Sequence, residues 1–138
     1  MRALTLRASD VEAETEAIRL AVRALPDEDR AAYFRLTERR MKDPDTYATL
    51  NWSLVAGAHH AYLGNWLRFA LDLMGTLLAV ALLFTPLLFV GIALLVLILG
   101  SELVELARSQ VMVADHNNAI ARATLAEVAG PGAVPAKA

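Results

Sequence analysis

Residues Leu73 to Ser101 read LMGTLLAVALLFTPLLFVGIALLVLILGS, a run of twenty-nine residues without one ionisable side chain. A core helix in a chain this small would present a polar face to water every third or fourth residue, and this run presents none. Such a composition is typical of a segment that lies in a lipid bilayer. The run therefore predicts an integral membrane protein whose middle third has lipid as its partner.

The length of the apolar region indicates that it folds back on itself. With the apolar residues that precede it, the run would form a single helix about 55 Å long, against a hydrocarbon core of about 30 Å. Thr85 and Pro86 lie near the midpoint, and proline disfavours a continuing helix. We therefore expect a helical hairpin of two transmembrane helices, 66–84 and 87–105. One kinked and steeply tilted helix over 73–101 is the alternative, because the turn carries no Gly, Asn or charge.

The composition bounds the function further. The chain has 138 residues, of which 57% are hydrophobic, and its formal net charge is -2. That charge argues against nucleic acid as a partner, since nucleic-acid-binding proteins carry a basic excess on the binding face. The absence of Cys excludes disulfides and thiolate metal sites. The N-terminus lacks the apolar core of a cleaved signal peptide, so the hairpin itself would direct insertion.

Two amphipathic helices are expected before the membrane region. Ser9 and Glu12 form a capping-box pattern that predicts a helix over 10–25, and an acidic start with a basic end predicts a second helix over 27–42. The first helix carries a heptad seam formed by Val11, Thr15, Ile18, Val22 and Leu25. This seam fits either packing on the chain's own neighbours or association with a second copy or another subunit.

The segment that follows opens at Asp43-Pro44, a turn and N-cap pattern, and predicts a short helix over 44–63. Its polar residues leave three possibilities open, namely spanning, re-entering or lying in the interface. Nine of the thirteen Lys and Arg residues precede Tyr47, which places the N-terminus in the cytoplasm. We therefore expect a multi-pass protein of the inner (cytoplasmic) membrane.

A last helix is expected to continue from the hairpin over 102–128. It holds a seven-residue repeat with three polar members, formed by Leu103, Leu106, Gln110, Val113, Asn117, Ile120 and Thr124. Polar residues at such positions fix register and partner number. The expected fold is an all-α membrane protein in which residues 1–43 and 108–138 supply cytoplasmic helices around a membrane domain at 44–107.

One stretch resembles a known family. Gly57-Ala58-His59-His60-Ala61-Tyr62-Leu63-Gly64 is similar to the signature of the TM2-domain family of small membrane proteins. The matching positions are Gly57, His59, Tyr62, Leu63 and Gly64. His60 and Ala61 stand where the family has Arg and Phe, and the distance from Gly64 to Glu105 is longer than usual. The resemblance covers roughly 26–117 and implies a membrane hairpin with no established chemistry.

Four charged residues border the apolar run, namely Arg68, Asp72, Glu102 and Glu105. Charges at such positions are costly unless they are paired or hydrated. A hairpin centred between Thr85 and Pro86 brings Glu102 to the level of Arg68, which predicts a cluster of Arg68 with Asp72 and Glu102. An ion pair that locks the two helices together is one interpretation, and a proton or ion path is the other.

The remaining polar residues predict no chemistry. His59 and His60 are adjacent, so on a helix they would point about 100° apart, and we expect no metal site and no cofactor. His59, Tyr62 and Trp66 fall on one helical stripe, which is typical of anchors at the membrane interface. The chain shows no nucleophile with a base and no phosphate-binding loop, so we expect no enzyme.

These observations lead to one hypothesis and one alternative. The hypothesis is a non-catalytic membrane scaffold or accessory subunit that acts by association with itself, as a homo-oligomer, or with a larger membrane complex. The alternative is an oligomeric ion or proton pathway that uses the intramembrane charges.

Overall fold

A computed structural model of the chain describes residues 5–52 and 57–136. Every regular element in these ranges is helical, which confirms the prediction of an all-α chain. The helices are α1 (Ala8–Arg23), α2 (Asp27–Arg40), α3 (Pro44–Trp52), α4 (Ala58–Tyr62), α5 (Trp66–Leu82), α6 (Leu88–Ala107) and α7 (Ser109–Ala129), followed by a 3-10 turn at Pro131–Ala133.

Two of the expected helices are interrupted. The single helix expected over 44–63 is wrong, because Gly57 has φ +73°, a left-handed conformation that a right-handed helix cannot contain. The continuous helix expected over 102–128 is also wrong. Arg108 has φ -111° and ψ 12°, and its backbone N–H donates to the Glu105 carbonyl three residues earlier. One helix therefore ends at Ala107 and the next begins at Ser109.

The chain divides into two compact units. We call the described residues of 1–43 and 110–138 the terminal unit, and the described residues of 44–109 the central unit.

The terminal unit is a bundle of α1, α2 and α7 around an apolar core. The core residues are Ile18, Val22, Tyr33, Ala121 and Leu125. Asparagine side chains on α7 connect the helices. Asn117 donates to the Lys42 carbonyl and accepts from the Lys42 N–H, both at 2.8 Å, and Asn118 donates to the Val11 carbonyl at 3.0 Å. The bonds of Asn117 pair both backbone groups of Lys42, which lies between α2 and α3.

Part of each heptad seam packs inside the chain, whereas Leu103 of the second seam is 61% exposed. Val11, Ile18 and Val22 are each at most 5% exposed, so these members of the α1 seam pack inside the chain, whereas Thr15 is exposed. The second seam is not continuous, because the break at Arg108 divides its members. The members Val113, Asn117, Ile120 and Thr124 lie in the terminal unit, whereas Leu103 and Leu106 lie in the central unit.

In the central unit, α5 and α6 pack closely against each other. A Cβ atom added at Gly91 would lie 2.8 Å from the Ala79 carbonyl oxygen, and one added at Gly75 would lie 3.4 Å from Ile98 Cδ1. Gly91 is therefore required for the close approach of the two helices, because any side chain would collide with the backbone of α5.

The surface of the central unit is strongly apolar. Its exposed residues include Trp52, Trp66, Leu67, Leu71, Met74, Leu77, Leu78, Phe84, Phe89, Val96, Leu97 and Leu103. One helix in the described part of the chain, α6, is long and apolar enough to cross a membrane. Of its most apolar stretch of 18 residues, 17% is buried inside the protein. Helix α5 has 17 residues and would reach about 25 Å.

Candidate functional site

The interior of the central unit holds a cluster of ionisable side chains from three helices. His59 and His60 come from α4, Arg68 and Asp72 from α5, and Glu105 from α6. Nε2 of His59 and Nε2 of His60 each lie 3.1 Å from the same atom, Oε2 of Glu105. The exposed fractions of the three side chains are 1%, 7% and 7%. We call these five residues the polar cluster.

The two histidines differ in how they meet the carboxylates. His59 Nε2 forms a hydrogen bond with Glu105. His60 Nε2 lies 3.1 Å from both Glu105 Oε2 and Asp72 Oδ2. It forms a hydrogen bond with neither oxygen, because a hydrogen bond needs a suitable angle as well as a short distance. Among the described residues it is the buried side-chain nitrogen or oxygen that has no hydrogen-bond partner.

Arg68 holds both carboxylates of the cluster. Its Nε donates to Asp72 Oδ2 at 3.1 Å, and its Nη2 lies 3.6 Å from Glu105 Oε1. The predicted pairing of Arg68 with Asp72 is therefore present, but the carboxylate reached on α6 is Glu105 and not Glu102.

The register of α5 and α6 explains this correction. Gly75 lies opposite Ile98, and seven residues, or about two helical turns, separate each of them from Arg68 and Glu105. A hairpin centred between Thr85 and Pro86 would place residue 103 opposite Arg68, two residues before Glu105 and about half a helical turn away.

Glu102 lies outside the polar cluster, on the side of α6 that faces α3. It is buried, and its backbone carbonyl accepts a hydrogen bond from Asn51 Nδ2 at 3.1 Å. Beside it is a mostly apolar groove lined by Asn51, Trp52, Leu99, Glu102, Leu103 and Leu106.

Two glycines set the position of the short helix α4. Gly57 precedes the helix at φ +73°, and a Cβ atom there would lie 3.0 Å from Asp72 Cβ. Gly64 follows the helix at φ +77°. The Gly64 N–H donates to the Ala61 carbonyl and the Asn65 N–H to the His60 carbonyl, the two bonds of a Schellman motif. These roles give a physical reason for both glycines of the sequence motif.

Asn65 also begins the next helix. Its side-chain oxygen accepts from the Arg68 N–H at 3.3 Å, as an N-cap residue does. Because one residue ends α4 and starts α5, the histidines and the Arg68 guanidinium are held by the same short turn.

The expected divergence of the two histidines is wrong. Their ring centroids are 4.1 Å apart with planes inclined by 44°, and both rings present Nε2 to Glu105. A role for His59 as an interface anchor is also wrong, because it is buried with its ring centroid 5.1 Å from that of Tyr47. Trp66, from the same stripe, is 66% exposed. Burial, with the nearby Glu105 carboxylate, raises the pKa of the Tyr47 phenol, which stays protonated.

The polar cluster contains side-chain atoms of the kinds that serve as metal ligands. Two imidazole nitrogens and a carboxylate oxygen converge within 4.8 Å of one another, and a guanidinium balances part of the negative charge. Sequence reasoning missed this convergence because it treated the two histidines as part of a long regular helix. The available signal was the pair of glycines that bracket them.

Comparison of the chain with family models, with curated proteins and with solved structures gives no match. The resemblance of 57–64 to the TM2-domain signature stays a prediction of the sequence.

Proposed function

We propose that the chain is a small integral membrane protein that acts without catalysis, as a scaffold or accessory subunit, by association with itself or with a larger membrane complex. One observation carries the membrane part of the proposal. The central unit buries His59 and Glu105 and exposes large apolar side chains such as Phe89 and Leu97. An apolar surface of this kind is unfavourable in water and favourable in hydrocarbon. Polar groups in lipid must find their partners inside the protein, as His59 and Glu105 do.

In this proposal α5, the turn and α6 form a hairpin that crosses the inner membrane twice. Helix α6 has 20 residues and reaches about 30 Å, which matches one crossing. Helix α5 is shorter, and the apolar turn at 83–87 extends its reach. The excess of Lys and Arg before Tyr47 orients the N-terminus to the cytoplasm, and two crossings return the C-terminus to the same side.

The polar cluster supports a structural role within this fold. A charge at the level of the bilayer is stable when it is paired, and Arg68 is within 3.6 Å of carboxylates on both α5 and α6. The pairing joins the two helices at one end, while close packing at Gly91 joins them near the other. Such a rigid helix pair suits a subunit that presents a fixed surface to a neighbour.

Association would use surfaces other than the seam of α1, because Val11, Ile18 and Val22 of that seam are buried in the terminal unit. The exposed faces of α5 and α6 are the candidates, because helices associate in lipid through van der Waals packing of such faces.

Labelling of single cysteines tests the topology, since the natural chain contains none and serves as the blank. We expect Thr85→Cys to react with a membrane-impermeant maleimide added outside spheroplasts, and Ala133→Cys to react only after lysis. Reaction of Ala133→Cys from outside, with Ser9→Cys protected, would mean a single crossing and would overturn the hairpin.

The mass of the protein extracted in a mild detergent tests the association. We expect a species heavier than the 15.0 kDa chain, either an oligomer or a complex with another membrane protein. A solitary chain that carries nothing with it through purification would contradict the proposal.

The alternative, an ion or proton pathway, has less support. The charged side chains lie at one end of the helix pair, and no ionisable residue occurs from Leu73 to Ser101. Ion flux into liposomes that is lost on Asp72→Asn or Glu102→Gln would favour the pathway, and unchanged flux would exclude these carboxylates from it.

A further inference from the structure

We infer that His59, His60 and Glu105 form a binding site for one divalent transition-metal ion of the Zn²⁺ type. The inference goes beyond the association proposed above and rests on the geometry of the polar cluster. One ring nitrogen of His59, one of His60 and an oxygen of Glu105 lie within 4.8 Å of one another, and all three residues are buried.

The distances between the ligand atoms suit a tetrahedral ion. Ligands placed about 2.0–2.1 Å from a zinc ion lie about 3.3 Å from one another. Glu105 Oε2 is 3.1 Å from His59 Nε2 and 3.1 Å from His60 Nε2. An ion between these atoms therefore needs only small movements of side-chain ends.

The state of His60 is an independent indication of a ligand. Its Nε2 is buried, points into the cluster and has no hydrogen-bond partner. A buried polar atom without a partner is costly, and a metal ion bound to its lone pair would remove that cost. His59 Nε2 would exchange its hydrogen bond to Glu105 for the same ion.

The surrounding charges support the Glu105 ligand. Arg68 Nη2 lies 3.6 Å from Glu105 Oε1, on the oxygen that does not face the histidines, and so orients the carboxylate as outer partners of metal ligands do. Asp72 is held by Arg68 and adds a second negative charge beside His60. Two carboxylates and one guanidinium leave a net negative charge that a divalent cation compensates.

The donor set selects the class of ion. Imidazole nitrogens favour Zn²⁺, Fe²⁺ and Co²⁺ over Ca²⁺ and Mg²⁺, which prefer oxygen ligands. Three protein ligands leave a fourth position of a tetrahedral ion open to water or to a partner's side chain.

Titration of the full-length chain with Zn²⁺ tests the site. The protein is purified in detergent with an affinity tag that contains no histidine, stripped with a chelator and titrated by calorimetry. We expect one Zn²⁺ per chain, and binding weakened at least about 100-fold in His60→Gln. Circular dichroism of the metal-free variant shows whether its helices are intact, so that weaker binding can be assigned to the lost ligand and not to unfolding.

The third histidine of the chain supplies a matched control. His116 lies in the terminal unit, and His116→Gln should bind Zn²⁺ as the natural chain does. Substitution of Co²⁺ should give the intense visible absorption of a tetrahedral site, and His60→Gln should lose it. Equal Zn²⁺ affinity in the natural chain and His60→Gln, or loss of binding in His116→Gln, would overturn the inference, whatever the oligomeric state proves to be.

Discussion

The two units of the chain distribute polar and apolar side chains in opposite ways. The terminal unit buries Ile18, Val22 and Leu125 in an apolar core. The central unit buries His59, Glu102 and Glu105 and exposes side chains such as Leu97. Burial of apolar surface stabilises the first unit, as it does in proteins whose surface meets water. In the membrane topology proposed above, that driving force is absent between the helices of the second unit, and polar pairs with close packing hold them together instead.

Each unit contains an Arg–Glu ion pair, and the two pairs differ in how far they are exposed. Arg40 pairs with Glu127 in the terminal unit, with side chains 42% and 51% exposed. Arg68 pairs with Glu105 in the central unit, where the carboxylate is 7% exposed. Solvent and salt screen the first pair, whereas the second lies where an unpaired charge is costly.

We expect the largest difference in stability between alanine variants of one leucine from each unit. Leu125 is fully buried, so Leu125→Ala leaves a cavity and should lower the free energy of unfolding of the terminal unit by about 4 kcal/mol. Leu97 is 70% exposed, and Leu97→Ala should change the stability of the central unit by less than about 0.5 kcal/mol. Hydrogen exchange of peptides from α7 and from α6, followed by mass spectrometry, reads the two units separately. Comparable losses of protection in both variants would mean that α6 also packs in an apolar core.

The next largest change in stability is expected when the buried ion pair of the central unit is broken. Glu105→Gln keeps the shape of the side chain but leaves Arg68 without its partner on α6. Removal of one member of a buried pair costs about 3–5 kcal/mol, and we expect about 2–3 kcal/mol here because Arg68 is partly hydrated. Both tryptophans, Trp52 and Trp66, lie in the central unit, so their fluorescence during denaturation in detergent reports this loss.

Glu127→Gln is the matched control for this experiment and should leave the fluorescence transition in place, because its pair with Arg40 lies in the terminal unit. A chelator in every sample removes any contribution of bound metal. Stability of Glu105→Gln equal to that of the control would show that the Arg68 pair does not hold α5 and α6 together.

The sequence predicts the elements of this structure better than the contacts between them. Helices α1, α2, α5 and α6 begin and end within two residues of their expected bounds, because Pro26 and the apolar run are local signals. The capping box expected at Ser9 is wrong, because α1 begins at Ala8 after Arg7 and has no side-chain cap. The partner of Arg68 depends instead on the register of α5 against α6, which the contact at Gly91 fixes. A hairpin centre read from one proline carries an error of a few residues, and that error decides between Glu102 and Glu105.

The same limit applies to the candidate site. The four border charges are visible in the sequence as costly residues, and three of them meet in the polar cluster. The convergence of His59 and His60 is not visible, because it needs a short helix set between two left-handed glycines and a carboxylate from a distant helix. The role of Asn118, which accepts from Thr15 at 3.0 Å across 103 residues, is likewise a matter of tertiary packing.

The smallest expected effect is the pH dependence of the exposed pair. A hydrogen bond from Arg40 holds the pKa of the Glu127 carboxyl below its usual range, so the unfolded chain takes up the proton at a higher pH than the folded chain does. The stabilisation is therefore complete above the ordinary pKa of 4.5 and is lost as the pH falls through the lowered pKa of the folded state. We expect hydrogen exchange in α7 to be slower in the natural chain than in Glu127→Gln at pH 7, by a small factor that shrinks in high salt and disappears in acid. A difference that persists in acid would show that Glu127 stabilises the terminal unit by packing instead of by charge, and the contrast between the two ion pairs would then rest on Glu105 alone.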